Sequence, residues 1–415
     1  MRPAFHFTAK SGWINDPHGI TVNNGEYHLF YQYVPNSTVW APNCHWGHAR
    51  GKDLFSLEQL PVAIAPGEGD DGIWTGSLVT DENNQTRIFY TSTAQPNIGI
   101  GRIRTAVPKD SEWIEWEKGD LVAEVPKGLD IIAYRDPFLV KDADCWRMFV
   151  GAGSSDGTAM ALSYTSSDLQ AWEYEGIALE RATKEKDPVW LGALWECPQI
   201  FEVDGQHVMV SSVWDDDVLH YAGYAIGTYN EGHFEARSWG RLTYGPSYYA
   251  PSFFRDADGR PCLTFWMRGI ADEVAGWASA HSIPHVLTYK DDRLIASPHP
   301  DIEKYRTSPA EEGELPGLSG DIIWRPEPGE LLHVTSGGNT VFLLDANAPT
   351  LTAKTVTDTH GSPYSGGEVR IILDANAVEI SSSDGVLGFA ASPEGGTYRV
   401  EAPNATTYPL VRPVQ

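Results

Sequence analysis

The sequence predicts an all-β chain, on three observations. Short runs of aromatic and β-branched residues follow one another along its length, hairpin-type turns join many of them, and long amphipathic helical patterns are hard to find. The runs include EYHLFYQYV, RIFYTST, CWRMFVGAG, AMALSYTSS, HVMVSSVW and PCLTFWMRG, each bounded by Gly, Asp, Asn or Pro. Asn24-Gly25, Asp204-Gly205 and Asp258-Gly259 lie between strand candidates, where such pairs favour type I′ turns because both central residues need positive φ. DADCWRMFV repeats the pattern without the glycine. Repeated antiparallel units up to about residue 295 suggest a propeller, which closes on itself and hides strand edges; a large sandwich is the competing all-β arrangement.

Length and composition divide the chain. Its 415 residues exceed one ordinary hydrophobic core. Near residues 297–320 the sequence turns to Pro, Gly, Ser and Glu, so we expect a front domain over 1–300, a linker over 301–320 and a small β-sandwich over 321–415. Strand candidates in the last part are ELLHVTSG, TVFLLDA, EVRIILDANAVEISSS, VLGFAAS and TYRVEAP.

Lys and Arg number 30 against 56 Asp and Glu, a formal net charge of −26. Such a surface repels nucleic acid and anionic lipid, and suits a neutral substrate. Fifteen Trp, 18 Tyr and 14 Phe supply core, and flat rings also stack on sugar faces. Cys44, Cys145, Cys197 and Cys262 lack metal-ligand spacing and read as reduced buried thiols, with disulfides left open. No apolar run of signal-peptide or membrane-span length occurs, which points to the cytoplasm, or to secretion if a leader has been removed. The oligomeric state is open.

Three segments place a carboxylate beside aromatic, Pro or Gly residues. WINDPHG holds Asn15 and Asp16; taken alone, N-D-P is an ordinary turn signal. YRDPFLV holds Arg135 and Asp136 at the start of a strand, where an ion pair or a strand-entry turn explains them equally well. In LWECPQIF, Glu196 stands between Trp195 and Cys197; burial there would favour the protonated form that a general acid needs, and an exposed Glu between buried neighbours is the plain alternative.

Together, and in this order, the segments resemble the conserved blocks of glycoside hydrolase family 32, which includes invertases, levanases, inulinases and fructan exohydrolases. WINDPHG is similar to the family's WINDPNG block, YRDPFLV to its RDP block and WECPQIF to its EC block. HLFYQYVP, NCHWGHARGKDLFSLEQLPVAI, DGIWTGSLV, YYAPSFF near Tyr249 and RIILDANAVEISSSDG extend the likeness along most of the chain. His18 stands where the family has Asn, Gln199 where Asp is frequent, and Thr75 where Ser is common.

The resemblance implies a five-bladed β-propeller followed by a C-terminal β-sandwich, and retaining cleavage of β-fructofuranosidic bonds without cofactor or metal. It implies Asp16 as nucleophile, Glu196 as general acid/base and Asp136 as a transition-state and sugar-binding carboxylate. Asn15, Gln32, Trp40, Trp74, Thr75 and Arg135 are the implied substrate contacts. The expected partner is a fructose-containing oligo- or polysaccharide. Retention needs the two carboxyl groups roughly 5–5.5 Å apart. His18, His45 and His48 do not have the spacing of a helix-borne metal pair and read as hydrogen-bonded structural or subsite histidines. A fructosyltransferase, an inverting arabinosidase or xylosidase, and a catalytically silent fructan-binding protein are the alternatives.

Overall fold

The computed structural model describes residues 1–413, and all its regular structure is strand apart from two 3-10 turns, Pro300–Tyr305 and Glu311–Gly313. Four antiparallel groups follow the chain in order. They are β1 (Gly12–Asn23), β2 (Glu26–Val34), β3 (His45–Gly51) and β4 (Glu58–Gln59); β5 (Gly72–Thr80), β6 (Thr86–Thr93), β7 (Arg102–Pro108) and β8 (Trp116–Ala123); β9 (Ile131–Asp142), β10 (Cys145–Ser154), β11 (Thr158–Ser166) and β12 (Glu173–Ala182); and β13 (Leu194–Val203), β14 (Gln206–Asp215), β15 (Val218–Asn230) and β16 (His233–Arg241).

After the short β17 (Thr243–Tyr244) comes a fifth group, β18 (Tyr248–Arg255), β19 (Pro261–Asp272), β20 (Trp277–His281), β21 (His285–Lys290) and β22 (Arg293–Pro298). It joins the first group in one nine-stranded sheet, because β20 pairs in parallel with β1 at Gly12–Trp277 and Trp13–Ala278. The leading strands β1, β5, β9, β13 and β18 touch in succession, and β18 returns to β1, closing a ring. This explains the run-like composition of strands such as β10, buried over most of its length: a strand covered on both faces has no solvent side to make polar. The outer strand β8 has no fully buried residue.

Asn24-Gly25 and Asp204-Gly205 both have positive φ at each position, as type I′ turns require. Asp258-Gly259 departs from the expectation: only Gly259 has positive φ there. The Asp256 carboxylate accepts from the Asp258 and Arg260 amides at 3.0 and 2.8 Å and so organises a longer loop.

The last strands are β23 (Ser319–Trp324), β24 (Leu331–Ser336), β25 (Asn339–Asn347), β26 (Thr350–Thr355), β27 (Thr359–Pro363), β28 (Val369–Asp374), β29 (Ala377–Ser382), β30 (Gly385–Ala390), β31 (Arg399–Glu401) and β32 (Ala405–Pro409). They form a six-stranded sheet, ordered β17-β30-β29-β28-β23-β32, and a five-stranded one, β27-β26-β25-β24-β31. Both contribute to one core containing Trp324, Val334, Phe342, Ile371, Ile380 and Phe389. The 301–320 segment is packed rather than a free linker. Ile302 and Leu315 are buried, Arg306 Nε donates to Asp321 Oδ2 at 2.8 Å, and β23 already begins at Ser319.

All four cysteines are free thiols; Cys44, Cys197 and Cys262 are buried as expected, whereas Cys145, at a hairpin end, is half-exposed. No helix among the described residues is long and apolar enough to cross a membrane.

Candidate active site

The five leading strands carry an irregularity at the same level. Pairing slips at Asn15-Asp16 in β1, Thr75 in β5, Asp136-Pro137 in β9, Cys197-Pro198 in β13 and Ala250-Pro251 in β18. In four of them a proline follows the displaced residue, and Gly76 does so in the fifth. Proline has no N–H to give the ladder, so the strand bulges and re-aims the preceding side chain. Asp136, Cys197 and Ala250 have φ of 66°, 50° and 46°, a left-handed conformation that non-glycine residues hold only where surrounding contacts impose it. The bulges turn Asp16, Thr75, Asp136 and Cys197 toward one another. N-D-P and R-D-P, expected as turn or strand-entry signals, are thus mid-strand bulges.

Asp16 is half-buried and accepts three hydrogen bonds from nitrogen and oxygen donors: Asn15 Nδ2 at 3.0 Å to Oδ1, and Gln32 Nε2 at 3.2 Å and Thr75 Oγ1 at 2.6 Å to Oδ2. Gln32 Nε2 also donates to Thr75 Oγ1 at 2.5 Å, so amide, hydroxyl and carboxylate polarise one another in series. Burial raises the Asp16 carboxyl above its usual range; the Thr75 bond opposes that shift and the negative charge of Glu196 adds to it. Thr75 therefore supplies a hydroxyl donor to Asp16.

Asp136 is buried. Its backbone N–H donates to Thr91 Oγ1 at 2.8 Å, and its Oδ2 accepts from the Cys197 amide at 3.0 Å. Burial pushes its carboxyl up to about 8, with Arg135 opposing and the charges of Glu196 and Asp16 adding. Glu196 is 19% exposed at its side chain. Its Oε1 accepts from Arg135 Nε and Nη2 at 3.2 and 2.9 Å, and its Oε2 from the Tyr249 hydroxyl at 2.6 Å. The apolar surroundings expected for Glu196 are not what its carboxylate meets. Trp195 is fully buried on the other side of the strand, and the carboxylate faces a guanidinium and a phenol.

The structure thus brings together Asn15, Asp16, Gln32, Thr75, Arg135, Asp136 and Glu196. Trp74 borders them, donating Nε1–H to Pro42 O at 2.8 Å. Trp40, 41% exposed, meets Trp74 edge to face at 5.8 Å between centroids and stands outermost of the expected contacts. Two residues escaped the sequence reading as site members. Cys197 Sγ lies 3.7 Å from both Asp16 Oδ2 and Asp136 Oδ2, and Tyr249 holds Glu196. The recurring bulge was the available signal. Asp16 and Thr75 are 59 residues apart, and Asp136 and Cys197 are 61 apart.

His18 is buried, lines the cavity that Asp136 also lines and packs against Trp46 with ring centroids 3.9 Å apart, but contrary to expectation neither of its ring nitrogens is hydrogen-bonded among the described residues. His28 Nδ1 and His48 Nε2 pair at 2.9 Å, and His48 stacks on Phe30 at 4.2 Å. Asp256, Cys262 and His299 have donor atoms within 4.8 Å of one another, but Arg260 already binds Asp256, and His299 bonds Asp256 at 3.0 Å and the Asp301 amide at 3.2 Å. A cation there would have to displace a guanidinium.

Gln199 is a brace rather than a ligand group. Its Nε2 donates to Pro251 O and its Oε1 accepts from Phe253 N, both at 2.6 Å, tying β13 to β18. Gln199→Leu is expected to lower stability by about 2 kcal/mol by leaving two buried backbone groups unpaired, with substrate binding weakened far less; urea denaturation beside kinetics checks this.

The sequence model of the glycosyl hydrolases family 32 N-terminal domain matches residues 6–298. The chain belongs to that family. It is 31% identical over 329 residues to a sucrose-6-phosphate hydrolase of Zymomonas mobilis, covering 74% of this chain and 63% of that protein. It is 34% identical over 367 residues to a levanase of Bacillus subtilis, covering 77% and 51%. These matches span about half to two thirds of the relatives' length. A β-fructofuranosidase from Bombyx mori has the same fold, with a TM-score of 0.85, 24% identity and coverage of 100% of this chain and 95% of that one.

Proposed function

We propose that the chain is a retaining β-fructofuranosidase acting on sucrose, fructo-oligosaccharides, inulin or levan. One observation carries this reading: three carboxylates from three bulged strands converge, and Asp16 and Glu196 are held in contrasting ways. Asp16, fixed by three donors, suits attack on the anomeric carbon to form a fructosyl ester. Glu196 protonates the leaving oxygen and then takes a proton from water, which releases fructose. Asp136, whose carboxyl burial holds above its usual range, hydrogen-bonds the fructose hydroxyls, more strongly as the ring flattens in the transition state. Asn15, Gln32 and Thr75 orient Asp16, while Trp74 and Trp40 border the sugar ring and its neighbour.

The closed ring of five leading strands supports the reading of residues 1–300 as a five-bladed propeller, with 321–415 as a β-sandwich and 301–320 between them. Arg135 is bound to Glu196, and Arg268, whose guanidinium lies over the Tyr249 ring, donates to the carbonyls of Leu219 and His220 at 2.7 and 3.2 Å. The formal net charge of −26 favours a neutral fructoside over a phosphorylated one. A fructosyltransferase would use the same groups with a sugar hydroxyl in place of water.

The test is free fructose released from sucrose, inulin and levan, with product analysis at high sucrose. Hydrolysis of any of the three supports the assignment. Longer oligosaccharides would favour transfer, and binding without release would make the chain a silent fructan-binding protein.

A further inference from the structure

Behind the site lies a buried polar cluster that the proposed chemistry does not use. Glu379, on β29, is 2% exposed. Its Oε1 accepts from His6 Nε2 at 2.6 Å and the Ile283 amide at 2.8 Å; its Oε2 accepts from the Tyr248 hydroxyl at 2.5 Å and lies 3.3 Å from His285 Nε2. Asp374, on β28, holds the other ring nitrogen of His6 at 2.8 Å. The Tyr248 phenol crosses from the ring of five strands into the C-terminal sheet to reach Glu379.

The C-terminal sheet is shaped for that phenol. Gly388 on β30 pairs directly with Glu379, and a Cβ on it would stand 2.6 Å from the Tyr248 ring. Gly388 O also accepts from the Ser247 amide at 3.2 Å. The next residue in β18 points the opposite way, as strand geometry requires, and is Tyr249, whose hydroxyl holds Glu196. Immediately after it the strand bulges at Ala250-Pro251. Tyr249 packs against Trp266 and the Arg268 guanidinium, and its placement also depends on what holds the β18 backbone just before the bulge, where Tyr248 is anchored on Glu379.

We infer that Glu379 is a positioning residue for Glu196, acting from the C-terminal sheet through the adjacent phenols of Tyr248 and Tyr249. This rests on the hydrolase reading above. Its consequence is that the C-terminal sheet sets the geometry of the acid/base and does more than add stability.

The experiment compares Tyr248→Phe and Glu379→Gln with wild type in urea stability and in kcat and KM on whichever fructoside the wild type cleaves. Asp321→Asn is the control: it breaks a buried pairing with Arg306 and Arg370 in the same sheet without touching Tyr248. Tyr248→Phe keeps the ring and is the variant to rely on if Glu379→Gln fails to fold. We expect kcat to fall about tenfold with KM nearly unchanged, within the 10²-fold that a misplacement of about 1 Å costs. A purely structural loss would show as lower stability without that split between kcat and KM. Asp321→Asn should lose stability while keeping the wild-type kcat and KM. An active wild type with folded variants that match it in kcat overturns the positioning role alone. A wild type inactive on all fructosides overturns the hydrolase reading and this role with it.

Discussion

Asp16→Asn is expected to lower kcat by about 10⁴-fold or more, the scale on which loss of a nucleophile is felt. Asn has the size of Asp and keeps one oxygen, either for the Thr75 hydroxyl and the Gln32 amide or for the Asn15 amide, so the fold and KM should change little. What disappears is the oxygen that bonds to the anomeric carbon. Glu196→Gln should differ in kind. With a leaving group that departs without protonation, such as fluoride, fructosyl transfer to Asp16 proceeds in the Gln variant while its hydrolysis stalls for want of a base. The covalent ester should then accumulate on the peptide containing Asp16 and be seen by mass spectrometry. Asp16→Asn with kcat within tenfold of wild type would remove Asp16 as nucleophile. An adduct on any other residue would move that role elsewhere.

The readability of this molecule followed the range of the interactions. Strands such as β2 and β10 were legible because covering a strand on both faces leaves a continuous apolar run in the sequence. The carboxylates Asp16, Asp136 and Glu196 were legible through their motifs, but the reason for those motifs was not. Asp-Pro is a turn signal in isolation, and it becomes a bulge only when partner strands flank it. Tyr249 lies 53 residues beyond Glu196, and no local pattern connects a phenol to that carboxylate. Gln199 stood at a motif position and suggested altered sugar recognition, whereas its amide spans two backbones. The contact between His6 and Asp374, 368 residues apart, exists only because the chain closes on itself.

That contact carries the largest expected effect on stability. His6 is fully buried with both ring nitrogens on carboxylates, 2.8 Å from Asp374 and 2.6 Å from Glu379. Burial alone would lower its affinity for a proton; the two hydrogen bonds and charges outweigh that and carry it from 6.5 up to about 9. Since the folded value exceeds the unfolded one, the native state holds the proton more tightly. The resulting stability is complete below pH 6.5 and is lost as pH rises through about 9, roughly 3 kcal/mol over that window. Asp374 and Glu379 behave oppositely: burial would raise them, but His6 holds both below the usual range, so their share is lost as pH falls. These shifts describe one set of contacts and do not add. His6→Gln removes the cation and leaves two buried carboxylates facing each other's charge, which should cost about 3–5 kcal/mol near neutral pH. Urea denaturation of wild type and variant between pH 6 and 10 tests this. The wild type should lose stability on the alkaline side and the variant should start low and stay flatter; parallel curves would mean that His6 does not carry the charge holding the N-terminal segment, β18 and the C-terminal sheet together.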